Sequence, residues 1–211
     1  MRPCYVWHCT IEATATQVAS WPQGNMEDPI HMTQHIHILG ASGSGTTTLG
    51  RALAAHLQYR HFDTDDYFWL PTDPPYTQKR ERTAREQRLM DDLTTHGSWV
   101  LSGSLCDWGD VVIPLLDLAV FLWIPHDLRM ARLYHRERQR FGERIMPGGD
   151  MYEQSQAFLE WAASYDDGDV NMRSRRLHDQ WLGKLPCPIV CIEGDYATQE
   201  QIEALMAEIR D

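Results

Sequence analysis

No apolar run in this chain of 211 residues approaches the roughly 18 residues that a membrane-spanning helix needs. Paired cysteines are missing too. Cys4, Cys9, Cys106, Cys187 and Cys191 are scattered without a C-x-x-C, so neither a disulfide framework nor a zinc site is indicated, and a reducing cytoplasm is expected. Positive charge is in deficit. With 19 Lys and Arg against 30 Asp and Glu the net charge is −11, which argues against a surface that coats nucleic acid but not against a local basic pocket. Lysine itself is nearly absent, occurring only at Lys79 and Lys184.

What is present is enough for one α/β domain with an ample core, at 43% hydrophobic residues. Among the ten histidines, His35 and His37 would share one face of a strand, a pattern more often explained by packing than by metal binding. Residues 1–32 look foreign to the rest. They hold Trp7, Trp21 and a Thr/Ala-rich stretch without periodicity or the layout of a signal peptide, and a disordered extension ahead of Met32 is expected. A docking arm is the alternative.

Residues Gly40 to Thr48 read Gly-Ala-Ser-Gly-Ser-Gly-Thr-Thr-Thr. The spacing of Gly40, Gly45 and Thr47 matches the phosphate-binding pattern G-x-x-x-x-G-K-[ST], except that Thr46 stands at the lysine position. The β-branched run His35–Leu39 reads as the strand entering this loop, and Leu49, Leu53 and Leu57 mark a helix from Thr46 to Leu57 leaving it. Glycines let the backbone approach a polyphosphate, and successive N–H groups with the helix N-terminus offer it positive charge without any lysine. A glycine-serine linker would not sit between a hydrophobic strand and an amphipathic helix.

Further strands are expected at Tyr59–Asp63, Trp99–Leu101, Leu118–Ile124 and Ile189–Ile192. Helices are expected at Thr83–His96, Asp127–Arg140, Met151–Tyr165, Asn171–Leu182 and Thr198–Ile209. Alternation of strands and helices implies a five-stranded parallel sheet flanked by helices, with right-handed crossovers. Ligands of such a sheet bind beyond the carboxyl ends of its strands, where Gly40, Asp63, Ser102-Gly103 and Pro125 fall. There Asp63 and Asp65 could hold a hydrated Mg²⁺ and accept a proton from an acceptor hydroxyl; Asp63 to Asp66 could equally just open the aromatic loop Tyr67 to Leu70. Six arginines, Arg129, Arg132, Arg136, Arg138, Arg140 and Arg144, lie within sixteen residues that contain only two acids. Such a stripe suits a lid near residues 126–150 closing on phosphates, or a solvated, salt-bridged helix. Arg173, Arg175 and Arg176 could add contacts, and the Tyr67–Trp69 aromatics could line an acceptor pocket, although packing claims at least one of them.

Together these motifs resemble the small P-loop kinases over about Thr33 to Asp211, with closest likeness to adenylate-kinase-related and topology-modulation-like proteins and with shikimate and gluconate kinases as cousins. The resemblance implies a P-loop NTPase fold of the nucleoside-monophosphate-kinase type and a domain spanning residues 33–211. It implies ATP with Mg²⁺ as cofactors and a nucleotide or small-molecule acceptor as partner, with neither nucleic acid nor membrane, in a monomer or weak dimer. By it Gly40, Gly43, Ser44, Gly45, Thr46 and Thr47 would cradle ATP phosphates, Thr47 with Asp63 would serve Mg²⁺, Asp65 would hold the acceptor, and Arg132 and Arg136 would be lid arginines. Thr46 departs from the family, whose lysine lies against the β- and γ-phosphates. Either Lys79 or a lid arginine takes over that charge, or the protein is a nucleotide-binding regulatory module with little or no phosphoryl transfer.

Overall fold

The computed structural model describes residues 5–7 and 33–210. Six parallel strands form one sheet: β1 (Tyr5–Trp7), β2 (His35–Gly40), β3 (Arg60–Asp63), β4 (Trp99–Ser102), β5 (Leu118–Trp123) and β6 (Ile189–Glu193), in the spatial order β1-β6-β5-β2-β4-β3. The helices are α1 (Thr46–Leu57), α2 (Thr64–Phe68), α3 (Arg82–Thr95), α4 (His126–Phe141), α5 (Tyr152–Ala163), α6 (Arg175–Leu182) and α7 (Thr198–Arg210). Five of the six strands are those the sequence implies.

The sixth departs from the expectation of a disordered extension. Tyr5–Trp7 pairs with β6 in the register Tyr5↔Val190 to Trp7↔Ile192. Its aromatic and β-branched residues suit a strand, and β6 would otherwise present an unpaired edge. The rest of the proposed extension, with Cys9, Trp21 and the Thr/Ala-rich stretch, lies outside the described residues.

Alternation along the strands builds both faces of the core. Ile36 and Ile38 of β2 pack with Val100, Val120 and the α1 residues Leu49 and Leu53, all essentially buried, on the face that α7 covers with Leu205. Each such leucine contributes about 1.5–3 kcal/mol by leaving water. On the opposite face Leu39, Leu101 and Phe121 meet Trp99, Trp108 and Trp181. His37 also belongs to that face. It is buried edge-on to Trp181, its Nδ1 lies 3.0 Å from the Leu101 carbonyl, and burial pushes its pKa down to about 4. His35 stacks on Trp99 at 4.7 Å. The two histidines are thus packing residues.

Two local elements differ from expectation. The segment after Asp63 is a short helix rather than an open loop, because the Asp63 carboxylate accepts the Asp65 N–H at 3.1 Å and caps α2. The last interior helix starts at Arg175 rather than Asn171, because Ser174 Oγ accepts the Leu177 N–H at 3.1 Å and sets the N-cap.

Candidate active site

Parallel pairing fixes which side chains share the carboxyl edge. Asp63 lies opposite Ser102, Ser102 opposite Ile38, and Gly40 opposite Leu122. The phosphate-type loop, the β3 carboxylate and the β4 exit therefore open into one cleft of about 440 Å³.

The loop meets α1 in a form suited to an anion. Its N-cap is Gly45, in the left-handed conformation with φ 98°, without a side-chain cap and with no acidic residue in the first helical turn. The first-turn N–H groups thus keep their outward hydrogen-bonding capacity, reinforced by the helix dipole. A Cβ on Gly45 would meet nothing within 4 Å. Gly40, Gly43, Thr46 and Thr47 line the cleft, whereas Ser44 is buried with Oγ unpartnered, so its contribution to a ligand is confined to its backbone.

Thr47 Oγ1 donates to Asp63 Oδ2 at 2.8 Å, which joins the loop to β3. A hydroxyl and a carboxylate held together are hard oxygen donors of the kind Mg²⁺ accepts alongside waters and phosphate oxygens, so these two residues fit that ion. No cluster of three or more His, Cys, Asp or Glu side chains placed to hold a metal ion exists among the described residues.

Asp65 opens into the same cleft. Burial by the surrounding walls raises its pKa above the ordinary carboxylate value; Arg173 and Arg136 oppose that rise, while Asp63 and Asp66 add to it. Asp66 instead faces a neighbouring groove that also holds Asp92 and His96.

The arginine stripe divides. Arg136 and Arg140 line the cleft, with Arg136 5.8 Å from the Phe158 ring centre and Arg140 4.9 Å from that of Tyr76. Arg132, expected to be a lid arginine, instead pairs with Asp195 after β6 and does not line the cleft. Arg138 and Arg144 pair with Glu143 and Asp150. Arg129 is fully buried: it donates to Asp166 Oδ2 at 2.6 Å and to the Ala162 carbonyl at 3.3 Å. Its replacement by alanine removes a buried guanidinium from a half-buried carboxylate that keeps the Trp123 indole N–H, and is expected to cost about 2 to 3 kcal/mol of stability in a denaturant titration.

Phe68 and Trp69 line the cleft, while Tyr67 is buried and donates to Asp92 at 2.8 Å. Arg173 faces the cleft, whereas Arg175 is engaged with Asp179 and Glu193. Sequence reasoning missed Gln154, Phe158 and Trp161, which α5 presents to the cleft at four- and three-residue steps. It also missed a buried chain behind Ser104. Tyr165 Oη lies 2.8 Å from His178 Nδ1, and His178 Nε2 lies 3.3 Å from Ser104 Oγ, with burial pushing the imidazole pKa down to about 3. Gly103 beside it has φ 108°, and a Cβ there would collide with the Thr64 hydroxyl, so this turn requires glycine.

Similarity to known proteins points the same way. A family model described as an AAA domain matches residues 36–147. The chain is 49% identical over 175 residues to an uncharacterized protein, YqaC, of Bacillus subtilis, spanning 83% of this chain and 97% of that one. It is 38% identical over 78 residues to a shikimate kinase 2 of Sodalis glossinidius, but covers only 45% of that protein and 34% of this chain. Among solved structures, a shikimate kinase from Bacteroides thetaiotaomicron superposes with a TM-score of 0.51 over 84% of this chain and 99% of that one at 17% identity, a likeness of fold.

Proposed function

Because this chain belongs to the AAA-domain family and has the fold of the small P-loop kinases, we propose that it is an ATP-dependent phosphotransferase acting on a hydroxyl of a small molecule or nucleotide, with a variant phosphate loop. The observation that carries this reading is the convergence of three groups in one cleft: the uncapped, acid-free N-terminus of α1, the Thr47–Asp63 pair and the Asp65 carboxylate. An anion-binding site alone would need only the first. Thr47 and Asp63 would hold Mg²⁺, which when bound would offset the negative charge of the phosphates.

Asp65 is the base of this scheme. As the acceptor oxygen attacks the γ-phosphorus of ATP, its proton passes to the Asp65 carboxylate and the bond from the γ-phosphorus to the bridging oxygen breaks, releasing ADP. Arg136 and Arg173 stand by Asp65 and supply positive charge to the transferring group and the acceptor. Rings from Phe68, Trp69, Tyr76, Phe158 and Trp161 favour an acceptor with an apolar or planar face. The rival reading, a nucleotide-binding module without turnover, rests on Thr46 alone.

Calorimetric titration and thermal melting with Mg-ATP test the first step. At a hundredfold excess over Kd a ligand of the native state adds about 2.7 kcal/mol, and the melting temperature should rise by roughly 5 to 10 °C. Gly45→Val fills the space in front of the loop and imposes a left-handed backbone on a β-branched residue, so it should abolish that rise while retaining its own melting transition. A wild type without binding at millimolar nucleotide would overturn the phosphate-loop reading. ADP production with a panel of nucleosides and hydroxylated metabolites then separates the enzyme from the binding module.

A further inference from the structure

Thr46 removes the loop's own cation, and nothing nearby on α1 replaces it, since the helix carries no other basic side chain before Arg51. Four cations line the cleft: Lys79, Arg136, Arg140 and Arg173. Each of the four lies over an aromatic ring. Arg136 and Arg173 stand by Asp65, with Arg136 over Phe158 and Arg173 over Trp161, which assigns them to the acceptor wall. Arg140 is stacked on Tyr76 and lies near Phe141.

Among the described residues no carboxylate lies within ion-pair reach of Lys79, and its ammonium sits 5.7 Å from the centre of the Phe68 ring. The chain's other lysine, Lys184, is bonded to Asp110 at 2.9 Å and lies away from the cleft.

The backbone places Lys79 with respect to the loop. Lys79 and Trp69 form an antiparallel bridge, flanked by hydrogen bonds from the Leu70 N–H to the Gln78 carbonyl at 2.9 Å and from the Arg80 N–H to the Phe68 carbonyl at 2.8 Å. Alternation in an extended segment sends Arg80 to the opposite side, where it donates to the Tyr67 and Trp69 carbonyls. The hairpin follows directly from α2, whose cap is Asp63, and Asp63 is bonded to Thr47. One continuous path of short elements thus ties the ammonium to the phosphate loop.

We propose that Lys79 is the phosphate-neutralising lysine of this site, supplied by the hairpin after α2 in place of the loop position that Thr46 occupies. This rests on the phosphate-loop reading above. An ammonium with three donors on a flexible four-carbon stem acts as a point charge toward polyphosphate oxygens, a role that tolerates a different point of origin. Delivery from the hairpin has a consequence: the wall that faces the acceptor also completes the charge around the nucleotide, so ordering either one favours the other.

The test uses the full chain, with Mg-AMP-PNP and AMP as probes in calorimetry. Lys79→Met keeps most of the apolar stem and removes the charge. It should raise the Mg-AMP-PNP Kd on the order of ten- to a hundredfold, change the AMP Kd by less than about threefold, and leave the melting temperature unchanged. Adding Thr46→Lys to Lys79→Met should return the analogue affinity to within about threefold of wild type, whereas Thr46→Lys alone should change it modestly, because the charge is already present. Lys79→Arg, which keeps the charge if the methionine variant fails to fold, should bind the analogue within about threefold of wild type. Lys79→Met binding the analogue as wild type does, equal losses for AMP and AMP-PNP, or no recovery with Thr46→Lys would each overturn the assignment while leaving the loop reading intact. A wild type that fails to bind the analogue would overturn both.

Discussion

Asp65→Asn is expected to lower phosphoryl transfer by about 10²- to 10⁴-fold, the usual weight of a positioned general base, while Mg-ATP affinity stays within about threefold of wild type. The substitution keeps size and hydrogen-bonding capacity and removes only the proton-accepting charge. The distinction matters here because the carboxylate's pKa is raised by burial in the cleft walls, with Arg173 and Arg136 only partly opposing it. A base must be ionised to work, so wild-type turnover should climb with pH through an acid limb lying above the ordinary carboxylate range. That limb should vanish in the asparagine variant. The sign for stability is opposite: a carboxyl with a raised folded-state pKa favours the fold while protonated and loses that contribution as pH rises through it. Initial rates of ADP release from pH 4 to 9, with an acceptor that supports turnover, check the acid limb, and denaturant titrations of the wild type and the asparagine variant over the same pH range check the sign for stability. Near-normal activity in the variant would remove Asp65 from the mechanism, leaving Asp63 and Glu137 as the other carboxylates that line the cleft.

The parts of this site that the sequence disclosed are those encoded locally. A β-branched run, glycines at fixed spacing and leucines four apart specify strand, loop and helix within about twenty residues, and α1 begins and ends where that pattern does. Asp63 was legible because a carboxylate at the end of a parallel strand has one direction to face. Contacts between distant segments were not legible. Phe158 and Trp161 occupy α5 with the spacing of an ordinary core stripe, and only the position of that helix beside α4 turns them toward the cleft. Tyr5–Trp7 is too short to show alternation, and its pairing depends on an edge nearly two hundred residues away. The chain from Tyr165 through His178 to Ser104 joins three segments with no common motif.

The divided arginine stripe shows the same limit and yields the second large effect. Arg132 and Arg136 are four residues apart on one helical face, which by periodicity gives them one environment, yet a four-residue step also moves about 6 Å along the axis. At α4 that step is decisive, because the cleft reaches the later part of the helix while Asp195, on the loop after β6, meets the earlier part. Arg136→Ala should therefore lower turnover by roughly ten- to a thousandfold, the weight of a charge-stabilising arginine in phosphoryl transfer, with a melting temperature within about 2 °C of wild type. Arg132→Ala breaks an exposed pair worth about 0–1 kcal/mol, and turnover within about threefold of wild type is expected. The two variants, assayed side by side for ADP production and thermal melting, isolate position along the helix from charge, since each removes one guanidinium from the same face. Equal losses would show that the stripe acts as a unit on the nucleotide. Unchanged turnover in Arg136→Ala together with a lowered melting temperature would mean that α4 carries its arginines for stability, and would leave the charge on the phosphates to Lys79.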